Sequence, residues 1–113
     1  MTNSIRKINF KQVSETVFDD YSNTVLEVLN DHCLRMSIMK GEYRWHFHEN
    51  TDELFLVLEG KLMIEIRGQE TIFVEPGESV KIPAKAIHKT SAIGRTVNLC
   101  FEKNANDTVF VEC

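Results

Sequence analysis

The sequence predicts an all-β fold, a sandwich or closed barrel of two antiparallel sheets, on three observations. Short runs rich in Val, Ile, Leu, Phe and Thr recur along the chain, separated at close intervals by Gly, Pro, Asn and Asp. Several of these runs alternate apolar and polar residues with the two-residue period of a half-buried strand. Helix-like spacing is confined to the first 23 residues. The pattern amounts to about nine or ten short strands. A length of 113 residues suits one domain. We take it as residues 1–113, with a core from 24 to 112 and residues 1–23 packed outside it.

In residues 1–23, Phe10, Val13, Val17 and Phe18 recur at helix-like intervals, while Ser14 and Asp19-Asp20 punctuate. An N-terminal strand and a short helical turn both fit. From Thr24, T-V-L-E-V-L-N reads as a strand, Asn30-Asp31 as a turn, and C-L-R-M-S-I-M as the returning strand. Lys40-Gly41-Glu42 breaks it. Tyr43 to His48 alternates, with Arg44, His46 and His48 on one face and Tyr43, Trp45 and Phe47 on the other. L-F-L-V-L and K-L-M-I-E-I form a hairpin about Glu59-Gly60, where glycine supplies a positive φ. E-T-I-F-V, S-V-K-I, Ile87–Ala92 and Thr96–Glu102 follow as strands, with Arg67-Gly68-Gln69 and Pro76-Gly77 as turns. Val109-Phe110-Val111 makes a last edge strand. Leu54–Leu58 is apolar on both faces, so its outer side needs a cover. The N-terminal segment, a second copy of the chain in a homodimer, or both would supply one.

Thirteen basic against seventeen acidic residues leave a net charge of −4, which argues against a general electrostatic nucleic-acid binder. Cys33, Cys100 and Cys113 are odd in number and widely spaced, which suggests neither a disulfide framework nor a Cys-x-x-Cys zinc site. Cys33 and Cys100 fall in strands as small core residues, and Cys113 is expected to be exposed and oxidation-prone. No secretory h-region and no apolar run long enough to span a bilayer is visible. These features together predict a soluble cytoplasmic protein with reduced thiols and no membrane partner.

The chemistry gathers in His46–Gly60, H-F-H-E-N-T-D-E-L-F-L-V-L-E-G. Residues two apart in a strand share a face, so His46 and His48 aim two imidazoles at one point. Glu53 follows a polar turn that can bring it back toward them, and His88 follows the strand closed by Pro83. Imidazoles and a carboxylate suit a borderline metal ion. The competing reading makes Glu53 a solvated carboxylate and His88 a hydrogen-bonded core histidine. His32, beside the Asn30-Asp31 turn, reads as a surface histidine.

These residues resemble the two motifs of the cupin family. The first falls on Gly41, His46, His48, Glu53 and Gly60, and the second on Gly77, Pro83 and His88. The resemblance implies a jelly-roll barrel (a double-stranded β-helix) and a metal held by His46, His48, Glu53 and His88. Within the family it is closest to the stand-alone mannose-6-phosphate isomerase-like cupins, chiefly through D-E-L-F-L-V-L-E-G. Three positions depart from the pattern. Four residues rather than five separate Gly41 from His46, Lys85 replaces a glycine, and Ala92 replaces an asparagine. They bear on loop geometry, and the Lys85 turn is expected to differ.

With four positions filled, an octahedral Fe, Mn or Ni ion keeps two open, and Zn opens one if five-coordinate. The implied function is a metal-dependent small-molecule enzyme of oxygenase, isomerase or lyase type. The alternative is a non-catalytic cupin that binds or senses a small molecule. Arg44, Phe55 and Thr90 are the candidate substrate contacts, with a solvated strand-end position as the competing reading for Arg44. The cavity is expected to be small and mostly apolar, with no second acid–base pair beyond the ligands.

Overall fold

Two five-stranded antiparallel sheets face each other in the computed structural model, which describes residues 5–112. Cys113 and residues 1–4 lie outside the described residues. A helix α1 (Phe10–Glu15) precedes β1 (Tyr21–Leu29), β2 (His32–Met39), β3 (His46–His48), β4 (Glu53–Glu59) and β5 (Leu62–Ile66). Then come β6 (Ile72–Val74), β7 (Ser79–Ile82), β8 (His88–Ala92), β9 (Thr96–Lys103) and β10 (Thr108–Phe110). One sheet runs β1-β2-β9-β4-β7 and the other β10-β3-β8-β5-β6. Among the described residues no helix is long and apolar enough to cross a membrane.

The two-residue period divides the apolar side chains into two layers. Between the sheets, Phe55, Val57, Leu62, Ile64 and Val74 form a buried cluster drawn from both. On the outside of the first sheet, Met36, Ile38, Val97 and Leu99 form another, packed under Phe10, Val13 and Val17. The N-terminal segment thus takes the helical alternative. Asn9 caps α1 by accepting a hydrogen bond from the Gln12 N–H at 3.0 Å. The Arg95 guanidinium donates to the Ser14 carbonyl at 2.8 Å and ties the helix to the sheet. Leu56 and Leu58 lie in this outer layer, which explains a strand apolar on both faces. Leu54, beyond it, stays 41 % exposed.

Two differences from the expected strands matter for the site. β1 starts at Tyr21 rather than Thr24, which carries Tyr21 and Asn23 into the sheet. β3 is shorter than Tyr43–His48, because residues 43–45 leave the ladder after a single bridge between Glu42 and Ser91.

The β4–β5 turn depends on Gly60, which adopts φ +82°. A Cβ there would stand 2.5 Å from the Arg95 carbonyl oxygen and 2.6 Å from Thr96 Oγ1. Gly60→Ala therefore combines a left-handed backbone with a clash against main chain. We expect it to lower unfolding stability by at least about 2 kcal/mol in urea denaturation. A change within about 0.5 kcal/mol, the usual range for surface substitutions, would show that the turn relaxes freely.

Candidate metal centre

Three strand starts bring the site together. β3 begins at His46 and ends at His48, and β8 begins at His88, paired directly with His46. β4 begins at Glu53, paired with Glu102 of β9. The His46 ring centroid lies 4.3 Å from that of His88 and 5.2 Å from that of His48. Glu53 Oε1 is 3.1 Å from His48 Nε2 and 3.3 Å from His88 Nε2. The donor atoms of His46, Glu53 and His88 lie within 4.8 Å of one another, as do those of His48, Glu53 and Glu102.

Each imidazole is oriented from behind. His46 Nδ1–H donates to the Arg44 carbonyl at 2.7 Å, and His88 Nδ1–H to the Ala86 carbonyl at 2.8 Å. His48 Nδ1–H donates to Asp107 Oδ1 at 3.0 Å. The other Asp107 oxygen accepts from the Asn50 N–H at 2.8 Å and pins the β3–β4 turn. These contacts leave Nε2 as the remaining nitrogen of every ring. Such outer hydrogen bonds set the tautomer and aim of metal-binding histidines.

The centre is incomplete on its own. Glu53 Oε1 and His88 Nε2 are buried and have no hydrogen-bond partner. Buried polar groups are rarely left so, because desolvation then goes uncompensated. A cation among these nitrogen and oxygen donors would satisfy both, so the residues present fit a divalent metal. The fit is one of donor chemistry and does not choose the ion.

Burial drives the His46 pKa down to about 4, against its bond to the Arg44 carbonyl, and keeps the ring neutral. Burial also opposes charge on His48, but the Glu53 carboxylate facing its Nε2, with Asp107 behind, pushes it up to about 9. Burial would raise Glu53 as well. His48 and His88 outweigh it and hold the carboxyl well below the usual range. Glu102 is pushed up to about 7 by burial and by the Glu53 charge beside it.

A cavity of about 480 Å³ opens onto the centre. Phe55 and Thr90 line it, and Phe55 also packs in the core between the sheets. Arg44 does not line it. It is exposed, with its guanidinium 4.2 Å over the Phe110 ring. Tyr43 lines the cavity instead, edge-on to His46 at 5.0 Å. Residues 43–45 are outside the ladder, so the alternation from His46 does not extend back to Arg44.

The cavity is also more polar than expected. On β9, Asn98, Cys100 and Glu102 line it, while Val97 and Leu99 turn out toward α1. The apolar face of β9 therefore serves the outer layer, and the polar face serves the cavity. Glu102 also forms an ion pair with Arg35, Nε to Oε1 at 3.2 Å, a pair of charges not expected from the sequence. Cys100, buried as expected, donates its thiol to Glu53 Oε2 at 3.5 Å, and burial raises its pKa. His32 lies away from the centre, paired with Asp31 at 2.8 Å and stacked on Phe101. Lys85 keeps a left-handed φ of +71°, so the turn retains a conformation that suits glycine. Its N–H donates to the His48 carbonyl at 2.7 Å.

Comparison with known proteins agrees with this architecture. The "Cupin domain" family matches residues 34–101. The chain is 39% identical over 104 residues to the uncharacterized protein YdbB of Bacillus subtilis (strain 168), covering 92% of each. A cupin-2 domain containing protein from Shewanella frigidimarina superposes with a TM-score of 0.80 at 33% identity, over 86% of this chain and 94% of that one. Protein NMB1881 from Neisseria meningitidis superposes at 0.79 over 88% of this chain and 100% of its own, with 17% identity, a likeness of fold.

Proposed function

This chain belongs to the cupin domain family, and from that premise we propose that it is a metal-dependent enzyme acting on a small oxygen-bearing molecule. His46, His48, Glu53 and His88 would hold one divalent transition metal, Fe, Mn, Ni or Zn. The observation that carries this reading is the pair of orphaned buried atoms, Glu53 Oε1 and His88 Nε2, among three imidazoles pinned through Nδ1. Such an ion, when bound, would supply Lewis-acid polarisation, water activation or redox work with dioxygen.

The chain's own residues favour catalysis over passive binding. Glu102 lines the cavity beside Glu53, placed where a carboxyl could take up or give a proton to a bound molecule. Arg35 fixes the position of that carboxylate. The cavity volume, about 480 Å³, falls in the range of small-molecule sites. The test is a metabolite screen by thermal shift on metal-loaded protein, with oxygen-consumption and product assays on the hits. A hit turned over supports the enzyme. A hit bound and returned unchanged assigns the site to a binding or sensing module.

Metal affinity should depend on pH through His48. In the free protein that ring holds a proton up to about pH 9, and a metal must displace it. His46, with a pKa of about 4, and Glu53, already ionised, release none near neutrality. Affinity should therefore rise with pH from neutrality and level off above about pH 9. Calorimetry in two buffers of different ionisation enthalpy should report net proton release on ion binding. A flat profile with no proton release would contradict the assignment of His48.

We propose that the chain forms a homodimer. The proposal rests on the exposed Leu54, which α1 leaves uncovered and which pairs across the ladder with exposed Phe101. Light scattering should give the mass of two chains. A clean monomer at micromolar concentration would remove the proposal.

A further inference from the structure

The part of the cavity away from the histidines has its own chemistry. Asn23 on β1 pairs with Ser37 on β2, and Ser37 pairs with Asn98 on β9, so three polar side chains form one row across the sheet. All three line the cavity. Asn98 stands four residues from Glu102 along β9, roughly 13 Å of strand. This row is thus a separate locus from the histidine cluster and shares one space with it.

Two features of this wall need an occupant. Asn98 is only 2 % exposed, and its Oδ1 has no hydrogen-bond partner. A buried acceptor without a partner, on a residue that lines a cavity, calls for a donor, which a ligand seated there could supply. Arg35 lies between the row and the metal cluster, opposite Cys100, and is the one lysine or arginine among the described residues that line the cavity. Its Nε is held by Glu102 at 3.2 Å and its Nη1 reaches Asn23 Oδ1 at 3.4 Å. The guanidinium is thereby fixed in place with donors to spare, and a planar fork of that kind matches a carboxylate.

We propose that the cavity takes a small polyhydroxylated carboxylate, its carboxylate bound by Arg35 and a hydroxyl donating to Asn98 Oδ1. This assignment rests on the metal-enzyme reading and names its substrate class. The charges agree with it. A divalent ion and Arg35, set against Glu53 and Glu102, leave one positive charge when Glu102 is ionised and two when it is protonated, in either case an excess for an anion to balance.

The test compares matched acid and neutral probes on metal-loaded protein, D-gluconate against D-glucitol and D-galacturonate against D-galactose. Binding is read by calorimetry, and metal content is measured on every sample after dialysis. At least one acid should bind, and its neutral partner should bind roughly tenfold more weakly or worse. Arg35→Gln should weaken the acid by roughly tenfold or more while the metal stays bound. Asn98→Ala should weaken acid and neutral probe alike, because it removes a hydroxyl contact. Arg35→Lys, which keeps the charge facing Glu102, separates loss of the fork from loss of the ion pair and should recover only part of the affinity. Two outcomes overturn the proposal with metal present: neither acid binds, or Arg35→Gln leaves acid affinity unchanged. Protein that takes up no metal overturns the underlying enzyme reading instead.

Discussion

Glu53→Gln is expected to weaken metal binding by more than a hundredfold, beyond the ~10–100-fold that outer hydrogen-bond partners carry. Glu53 is the carboxylate common to both donor groups, and its Oε1 faces His48 and His88 together. Glutamine keeps the shape and removes the charge. The consequence should also appear in stability. An ion at a hundredfold excess over its Kd stabilises the folded chain by about 2.7 kcal/mol. That is worth roughly 10 °C or more in a domain of this size. For the variant at the same metal concentration, most of that rise should vanish. Circular dichroism of the metal-free variant checks that the sheets persist. A full metal-dependent rise in Tm would remove Glu53 from the ligand set.

Asp107→Asn tests a residue with no place in either sequence motif. Its carboxylate accepts from His48 Nδ1–H and from the Asn50 N–H, one bond per oxygen. Asparagine can keep one of these bonds and must present an NH2 group where the other acceptor stood. We expect a ~10–100-fold loss of metal affinity, the scale typical of such outer contacts. The proton on His48 should also be held less tightly, because Asp107 is one of the groups that raise its pKa. The number of protons released on binding at neutral pH should fall with it. Unchanged affinity and unchanged proton release would reduce Asp107 to a loop anchor.

Local pattern reaches some of this and not the rest. The strands from β4 to β10 follow from short alternating runs and turn residues, because each signal sits within a few neighbouring positions. His46 and His48 are legible as a pair for the same reason, since strand period fixes their common face. Arg44 fails where that logic stops, at the end of the ladder. Glu102 reads as the last polar residue of an alternating strand. Its place beside Glu53 comes from the β4–β9 register, which joins residues about 50 positions apart. Whether β9 turns its polar or its apolar face inward depends on α1, a six-residue helix that covers the other face. Asp107 sits in a polar connection, and only the β10–β3 pairing brings it to His48. The orphaned atoms of Glu53, His88 and Asn98 are facts of packing that no short window contains.

The most direct measurement is the metal stoichiometry of the protein. The wild-type chain is loaded separately with Fe(II), Mn(II), Ni(II) and Zn(II), dialysed, and analysed by inductively coupled plasma mass spectrometry. We predict about one ion retained per chain for at least one metal, as expected of a single four-ligand site, and its loss in His48→Ala. A wild-type protein that retains none of the four, or a His48→Ala variant that keeps its full equivalent, would contradict the proposed centre.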